Sequence, residues 1–229
     1  MPPTFILWDV DHTLIETRGV GRELYDRAFP AATGIALRKL ASVHGRTEWD
    51  IIRETLELHG LDTTKPSIDR VADALAASYD EARSELERRG RVLPGAEKAL
   101  QAFDDEPDIV QSVLTGNLRS VAHIKVEAFH LDPYLDMQVG AYGDDASDRS
   151  ALVAIARRRA LEVRKIEFDD RSVVLVGDTP HDISAALGAG VRAIGVATGH
   201  SSPEDLAEAG AADVLQDLTD LRTLRKMVG

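Results

Sequence analysis

Two carboxylates stand two residues apart directly after a short apolar run, in Phe5-Ile6-Leu7-Trp8-Asp9-Val10-Asp11-His12-Thr13-Leu14. If that run is a buried strand, its period of two turns Asp9 and Asp11 the same way. They would then sit at the carboxyl end of a strand, where open α/β sheets bind their ligands. Two like charges there repel unless a cation or a shared proton compensates. A hard divalent ion such as Mg²⁺ is the simplest compensation, because it takes oxygen ligands. The competing reading is an Asp-rich turn capped by Thr13. A second strand end, Thr115-Gly116-Asn117, sets a hydroxyl and free backbone N–H groups ahead of a helix starting near Leu118. That is the make-up of an anion site, with Asn117 as a plain helix cap the alternative. A third, Gly177-Asp178-Thr179-Pro180-His181-Asp182, again ends a strand in carboxylates. There Gly177 allows tight backbone passage. Asp178 could complete a metal site with Asp9, and Asp182 could act as ligand, as helix N-cap, or as both. Three such signals on one sheet edge are far less expected by coincidence than any one of them.

The elements that must position these residues follow from hydrophobic patterning. Apolar runs at Phe5–Trp8, Ile109–Leu114, Val173–Val176 and Arg192–Val196, with a weaker one at Asp213–Leu215, suit parallel strands buried on both faces. Helical patterns lie between the later ones: Val121, Ile124, Lys125 and Ala128; Leu152, Ile155 and Ala156; Ile183, Ala186 and Leu187. Strand, helix, strand in repetition predicts an α/β fold, a doubly wound parallel sheet with right-handed crossovers. Residues 16–92 read differently. Ile68, Val71, Leu75, Tyr79, Ala82 and Leu86 form one helical stripe. Leu24, Ala28 and Phe29 suggest a second helix, and Ile51, Ile52, Thr55 and Leu56 a third. The expected division is therefore a core of residues 1–15 and 93–229 and an all-helical insert of residues 16–92, with Leu93-Pro94-Gly95 marking the return. Ser202-Pro203-Glu204-Asp205 reads as a capped helix start, and Arg157-Arg158-Arg159 as the solvated face of a helix.

Composition narrows the function classes. The 229 residues are 44% hydrophobic and 29% charged, which is globular composition. A formal charge of −12 argues against nucleic-acid binding through a broad basic surface, though not against a locally positive pocket. Without cysteine there are no disulfides, thiolate metal sites or cysteine nucleophiles. The amino-terminal run lacks a positive flank and is ended by Asp9 and Asp11, and no later run could span a bilayer. The expectation is a soluble cytoplasmic protein with neither nucleic-acid nor membrane partners, as a monomer or homodimer.

Taken together, the motifs resemble those of the haloacid dehalogenase-like hydrolase superfamily, in particular its phosphoglycolate-phosphatase-like branch. Asp9-Val10-Asp11-His12-Thr13 is similar to the first motif, Thr115-Gly116-Asn117 to the second, and Gly177 to Asp182 to the fourth. The insert after the first motif resembles that family's cap domain, and the core its Rossmann-like sheet. The resemblance implies that Asp9 is a nucleophile forming an aspartyl-phosphate. It implies that Asp11 is the general acid and then the base. Mg²⁺ would sit on Asp9, the Asp11 backbone carbonyl and Asp178, near Asp182. Thr115, Gly116 and Asn117 would hold phosphoryl oxygens. The third motif departs from pattern: Gly143-Asp144-Asp145-Ala146-Ser147-Asp148-Arg149-Ser150 has no Lys, and Arg149 is the best candidate for the basic residue, a surface position in the first helical turn being the alternative. His12 is a second departure, since Gly is common there, and is expected to be a packed or solvent-facing neighbour of the site.

The expected activity is Mg²⁺-dependent hydrolysis of a small phosphorylated metabolite, for which Asp11 argues because branches without ester chemistry lack an acid there. A β-phosphoglucomutase-like phosphotransferase and a non-catalytic phosphometabolite-binding scaffold are the alternatives. Arg46, in the polar turn Gly45-Arg46-Thr47-Glu48, is placed to contact an anionic part of the substrate if that turn faces the active site, a plain surface arginine being the alternative. Arg18 and Arg22, just after the first motif, carry the same two readings.

Overall fold

The computed structural model describes residues 3–229; Met1 and Pro2, the head of the amino-terminal run, lie outside the described residues. The chain opens with β1 (Thr4–Trp8) and a short strand β2 (Ile15–Glu16). Helices α1 (Val20–Thr33), α2 (Glu48–Leu58), α3 (Lys65–Glu81) and α4 (Arg83–Arg89) follow, and then β3 (Arg91–Val92). Next come α5 (Ala96–Asp104), β4 (Ile109–Val113), α6 (Arg119–Ala128), α7 (Arg149–Arg164) and β5 (Val173–Gly177). The chain ends with α8 (Pro180–Gly188), β6 (Arg192–Val196), α9 (Pro203–Glu208), β7 (Asp213–Leu215) and α10 (Leu221–Val228).

Every apolar run anticipated as a strand joins one parallel sheet, in the order β4-β1-β5-β6-β7. The period of two then divides its side chains. Ile6 and Trp8 of β1, with Val174 and Val176 of β5, share a hydrophobic cluster with α5, α6 and α10. Phe5 and Leu7, with Val173 and Leu175, share another with α7, α8 and α9. Helices thus cover both faces, the doubly wound α/β architecture, and the strands read as unbroken apolar runs because neither face meets water. Strand β4 is the exception, carrying buried Gln111 and Ser112. Their polar atoms are satisfied: the Trp8 Nε1–H donates to Gln111 Oε1 (3.2 Å), Gln111 Nε2 to the Leu100 carbonyl (2.8 Å), and Ser112 Oγ to the Asp136 carbonyl (2.7 Å).

Helices α1 to α4 form an excursion that leaves along β2 and returns along β3, which pair antiparallel with Ile15 opposite Val92 and Glu16 opposite Arg91. The stripe from Ile68 to Leu86 is buried at all six positions. It belongs to two helices rather than one, because Ala82 (φ −95°, ψ 11°) interrupts the chain between α3 and α4. Arg157-Arg158-Arg159 is likewise only partly the solvated face expected. Arg158 is exposed, whereas Arg159 turns inward, grips both oxygens of Asp145 (2.5 and 2.6 Å) and lies over the Tyr142 ring. Ser202 and Asp205 do form a capping box at the start of α9. Among the described residues no helix is long and apolar enough to cross a membrane.

Candidate active site

Asp9 and Asp178 end neighbouring strands. The Asp9 backbone N–H donates to the Val176 carbonyl (2.8 Å), carrying the β1–β5 ladder to the last residue before the turn. Asp178 follows Gly177 directly, and Asp182 returns to the same spot from the first turn of α8. The turn is tight: a Cβ on Gly177 would lie 2.3 Å from Asp182 Cγ, and one on Gly199 would lie 1.8 Å from Asp178 Oδ2. Asp9, Asp178 and Asp182 are all buried, and each presents an oxygen within 4.8 Å of the others.

Arg149, in the first turn of α7 behind its N-cap Asp148, reaches this cluster rather than solvent. Its Nη2 donates to Asp9 Oδ1 (2.8 Å) and to Asp182 Oδ1 (2.5 Å), while its Nε is buried without a partner among the described residues. Three carboxylates against one guanidinium leave two negative charges out of water. Burial, then the Asp182 charge, pushes the Asp9 carboxyl up to about 7 against the pull of Arg149. Burial, then Asp9 and Asp182, pushes Asp178 up to about 8. An all-oxygen donor set with two uncompensated charges fits a small hard divalent cation. Asp182 has both oxygens engaged, Oδ1 by Arg149 and Oδ2 by the Thr179 amide (3.1 Å) and hydroxyl (2.6 Å). Asp9 and Asp178 are the freer pair.

The Asp11 side chain lies apart from that cluster. Its Oδ2 accepts from Asn117 Nδ2 (2.7 Å) and from Lys125 Nζ (2.6 Å), and Lys125 also donates to Asn117 Oδ1 (2.7 Å). Burial raises the Asp11 carboxyl, but the charge and hydrogen bond of Lys125, together with Asn117, bring it below its ordinary value. Sequence reading placed Lys125 among the packing residues of α6 and gave it no part in the site. The available signal was a Lys on the inward face of an amphipathic helix, where a charge is rarely left unpaired. Asn117 does not cap α6 as one reading held, because Leu118 occupies the N-cap position and the Asn117 amide is spent on Asp11, Lys125 and Thr115.

Thr115, buried, offers its Oγ1 to Asn117 Nδ2 (2.8 Å) and faces the same cavity of about 760 Å³ that Asp9, Asp11, Gly116, Arg149 and Asp178 line. The helical excursion closes its far side with Tyr25, Glu48 and Tyr79; sequence reading placed Tyr79 only in a packing stripe and Glu48 only in the polar turn around Arg46, with no part for Tyr25. Tyr25 donates a short hydrogen bond to Glu48, and the Glu48 backbone N–H donates to the Gly116 carbonyl (2.7 Å), tying the excursion to the strand-end turn. Arg46 lines the cavity too, but its guanidinium is committed elsewhere, to Glu54 (2.5 Å) and to the Ser42 and Asp50 carbonyls. Its charge therefore has a partner within the excursion. His12 has φ 63°, the left-handed region in which Gly is the default residue, and this explains why Gly suits that position. Its carbonyl accepts from Thr198 Oγ1 (2.6 Å) and its ring faces that of His200 (5.3 Å between centroids).

Comparison with known proteins places the chain in a family. The family model described as haloacid dehalogenase-like hydrolase matches residues 6–187. A plasmid-encoded phosphoglycolate phosphatase from Cupriavidus necator is 28% identical over 229 residues, covering 98% of this chain and 94% of the relative. A hydrolase from Pseudomonas syringae superposes with a TM-score of 0.72 at 22% identity, covering 99% of this chain and all of the other. CbbY from Rhodobacter sphaeroides, solved in complex with phosphate, does so at 0.72 and 21%, covering 96% of each chain. The two structures speak for the fold alone, whereas the family match spans β1, the excursion and both later carboxylates, Asp178 and Asp182. This chain is an enzyme and belongs to the haloacid dehalogenase-like hydrolases.

Proposed function

We propose that the chain is a Mg²⁺-dependent phosphatase that hydrolyses a small phosphorylated metabolite through an aspartyl-phosphate on Asp9. The observation that carries this reading is the charge of the strand-end cluster, two negative charges in excess beside a separate acid–base carboxylate. A phosphate ester would be repelled by that cluster alone and welcomed by it once a divalent cation is bound. Asp9 and Asp178 would hold the ion together with the Asp11 backbone carbonyl, and Asp182 adds its charge behind them. When bound, Mg²⁺ neutralises charge on the phosphoryl oxygens. Asp9 attacks phosphorus as the bond to the leaving oxygen breaks, and Asp11 gives that oxygen its proton. Water then attacks phosphorus and passes a proton to Asp11, and phosphate leaves with the Asp9 carboxylate restored. Arg149 keeps Asp9 in line and has its Nε still to give. Thr115, Gly116 and Asn117 border the phosphoryl position.

Residues 16–92 act as a cap over the core of residues 1–15 and 93–229, excluding water and selecting the rest of the substrate. Phosphoglycolate, the substrate in the name of the C. necator relative, is the first candidate. Hydrolysis is favoured over phosphoryl transfer between sugars because Arg46, on the cap side of the cavity, is already held by Glu54 rather than set out for a second phosphate. Phosphate release from a panel of phosphorylated metabolites, beginning with phosphoglycolate and p-nitrophenyl phosphate, tests the proposal. Turnover should appear with Mg²⁺ and vanish with EDTA. Turnover that persists in EDTA would remove the metal from the reading, and none on any ester would remove the phosphatase.

A further inference from the structure

Lys125 is 3% exposed, in mid-helix between Ile124 and Val126, and its ammonium faces Asp11, Asn117 and Tyr79. Its Nζ donates to Asp11 Oδ2 (2.6 Å) and to Asn117 Oδ1 (2.7 Å), with the Tyr79 ring of α3 5.2 Å away. The Asn117 amide has one workable orientation, since the flipped form would set its oxygen against the Asp11 carboxylate and its NH₂ against the ammonium. Its Nδ2 therefore donates to the same Asp11 Oδ2 (2.7 Å) and to Thr115 Oγ1 (2.8 Å). Two donors thus occupy one oxygen of Asp11, and the other, Oδ1, has no hydrogen bond among the described residues. A proton cannot sit on an oxygen that already faces two N–H donors.

We infer that Lys125 is a positioning residue for the acid–base carboxylate: with Asn117 it pins Asp11 Oδ2, so that Oδ1 alone carries the proton given to the leaving oxygen and later taken from water. This inference rests on the phosphatase reading and extends it. In the first half-reaction the proton leaves Oδ1 as the phosphorus–oxygen bond of the ester breaks. In the second, Oδ1 takes a proton from water as the new phosphorus–oxygen bond forms. Lys125 exchanges no proton in either step and touches no reacting atom.

The test exploits leaving groups. Phenolate needs protonation as it departs, whereas p-nitrophenolate leaves far more readily without it. For Lys125→Met, kcat/KM should fall on the order of 10²-fold with phenyl phosphate, the size of a general-acid contribution, but about 10-fold or less with p-nitrophenyl phosphate. A residue that merely supports the fold would lower both equally, so equal falls, or none, overturn the inference. Lys125→Gln and Asn117→Ala provide the same ratio at smaller amplitude if the Met variant does not fold, as thermal melting would reveal. Asp11→Asn separates the two layers of argument. Without a leaving-group-dependent loss in Asp11→Asn, the acid reading itself fails. With that loss, and equal falls in the Lys125 variants, only the role of Lys125 is lost.

Discussion

The two walls of the cavity handle charge in opposite ways. On the strand-end wall, charged groups meet partners far away in sequence: Arg149 with Asp9, 140 positions apart, and Lys125 with Asp11, 114 apart. On the helical wall the arginines that line the cavity pair close by, Arg22 with Asp26 and Arg46 with Glu54. Local pairs form within one helix or turn and are worth little, because they stay near water. The distant ones are buried and exist only when the whole sheet is assembled. A wall of this second kind presents unbalanced charge to a ligand, whereas the first kind has neutralised its charge and presents shape. On the phosphatase reading proposed above, bond-making belongs on one wall and selection on the other.

The contrast should break most visibly at Asp9. Asp9→Asn is expected to lower phosphate release by roughly 10³-fold or more, since the attacking oxygen is lost. Its melting temperature should hold or rise, because one of three crowded carboxylates has been neutralised. Retained turnover would remove Asp9 as nucleophile. Next in size is Arg149→Ala, which leaves Asp9 and Asp182 buried without their counter-charge. We expect activity to fall about 10²-fold and stability by about 3–5 kcal/mol in chemical denaturation. Arg158→Ala, on the exposed face of the same helix, should change stability by less than about 0.5 kcal/mol. Similar small effects in both variants would erase the distinction between the walls.

The smallest effect concerns Glu48, a carboxyl on the helical wall that is buried. Burial raises its pKa above 4.5, against the pull of the Tyr25 hydrogen bond and the Lys125 charge and with a push from Asp11. The folded chain therefore holds this proton more tightly than the unfolded one. The resulting stability is whole below pH about 4.5 and is lost as pH rises through the folded value. In melting curves across pH, Glu48→Gln should gain on the parent chain as pH increases. A gap that stays constant with pH would mean that folding leaves the Glu48 pKa where it is in the unfolded chain.

Legibility followed the same divide. Strand ends announce themselves, because a buried strand is an unbroken apolar run and a carboxylate just after it is conspicuous; Asp9, Asp11 and Asp178 were visible for that reason. Arg149 was reachable only through family resemblance, since nothing in Asp148-Arg149-Ser150 tells an inward arginine from an outward one. Lys125 and Tyr79 were hidden by their own helices, where they occupy positions that also serve packing and so register as part of an apolar stripe. The division of that stripe at Ala82 was illegible as well. The burial pattern continues through the interruption, so periodicity cannot detect it.

The sheet order has a consequence in time. β1, the first strand to be synthesised, lies between β4 and β5, so Thr4 waits for Ile109 and Phe5 for Val173. Asp9 and Asp178 cannot meet until well over two-thirds of the chain exists, whereas α1 and α2 pack on α3 within the first 92 residues and α6 joins α3 and α4 later. A nascent chain can thus begin to pack its helical wall first and carry no assembled acidic cluster while it does so. The repulsive centre is created last, when the remaining sheet is there to hold it.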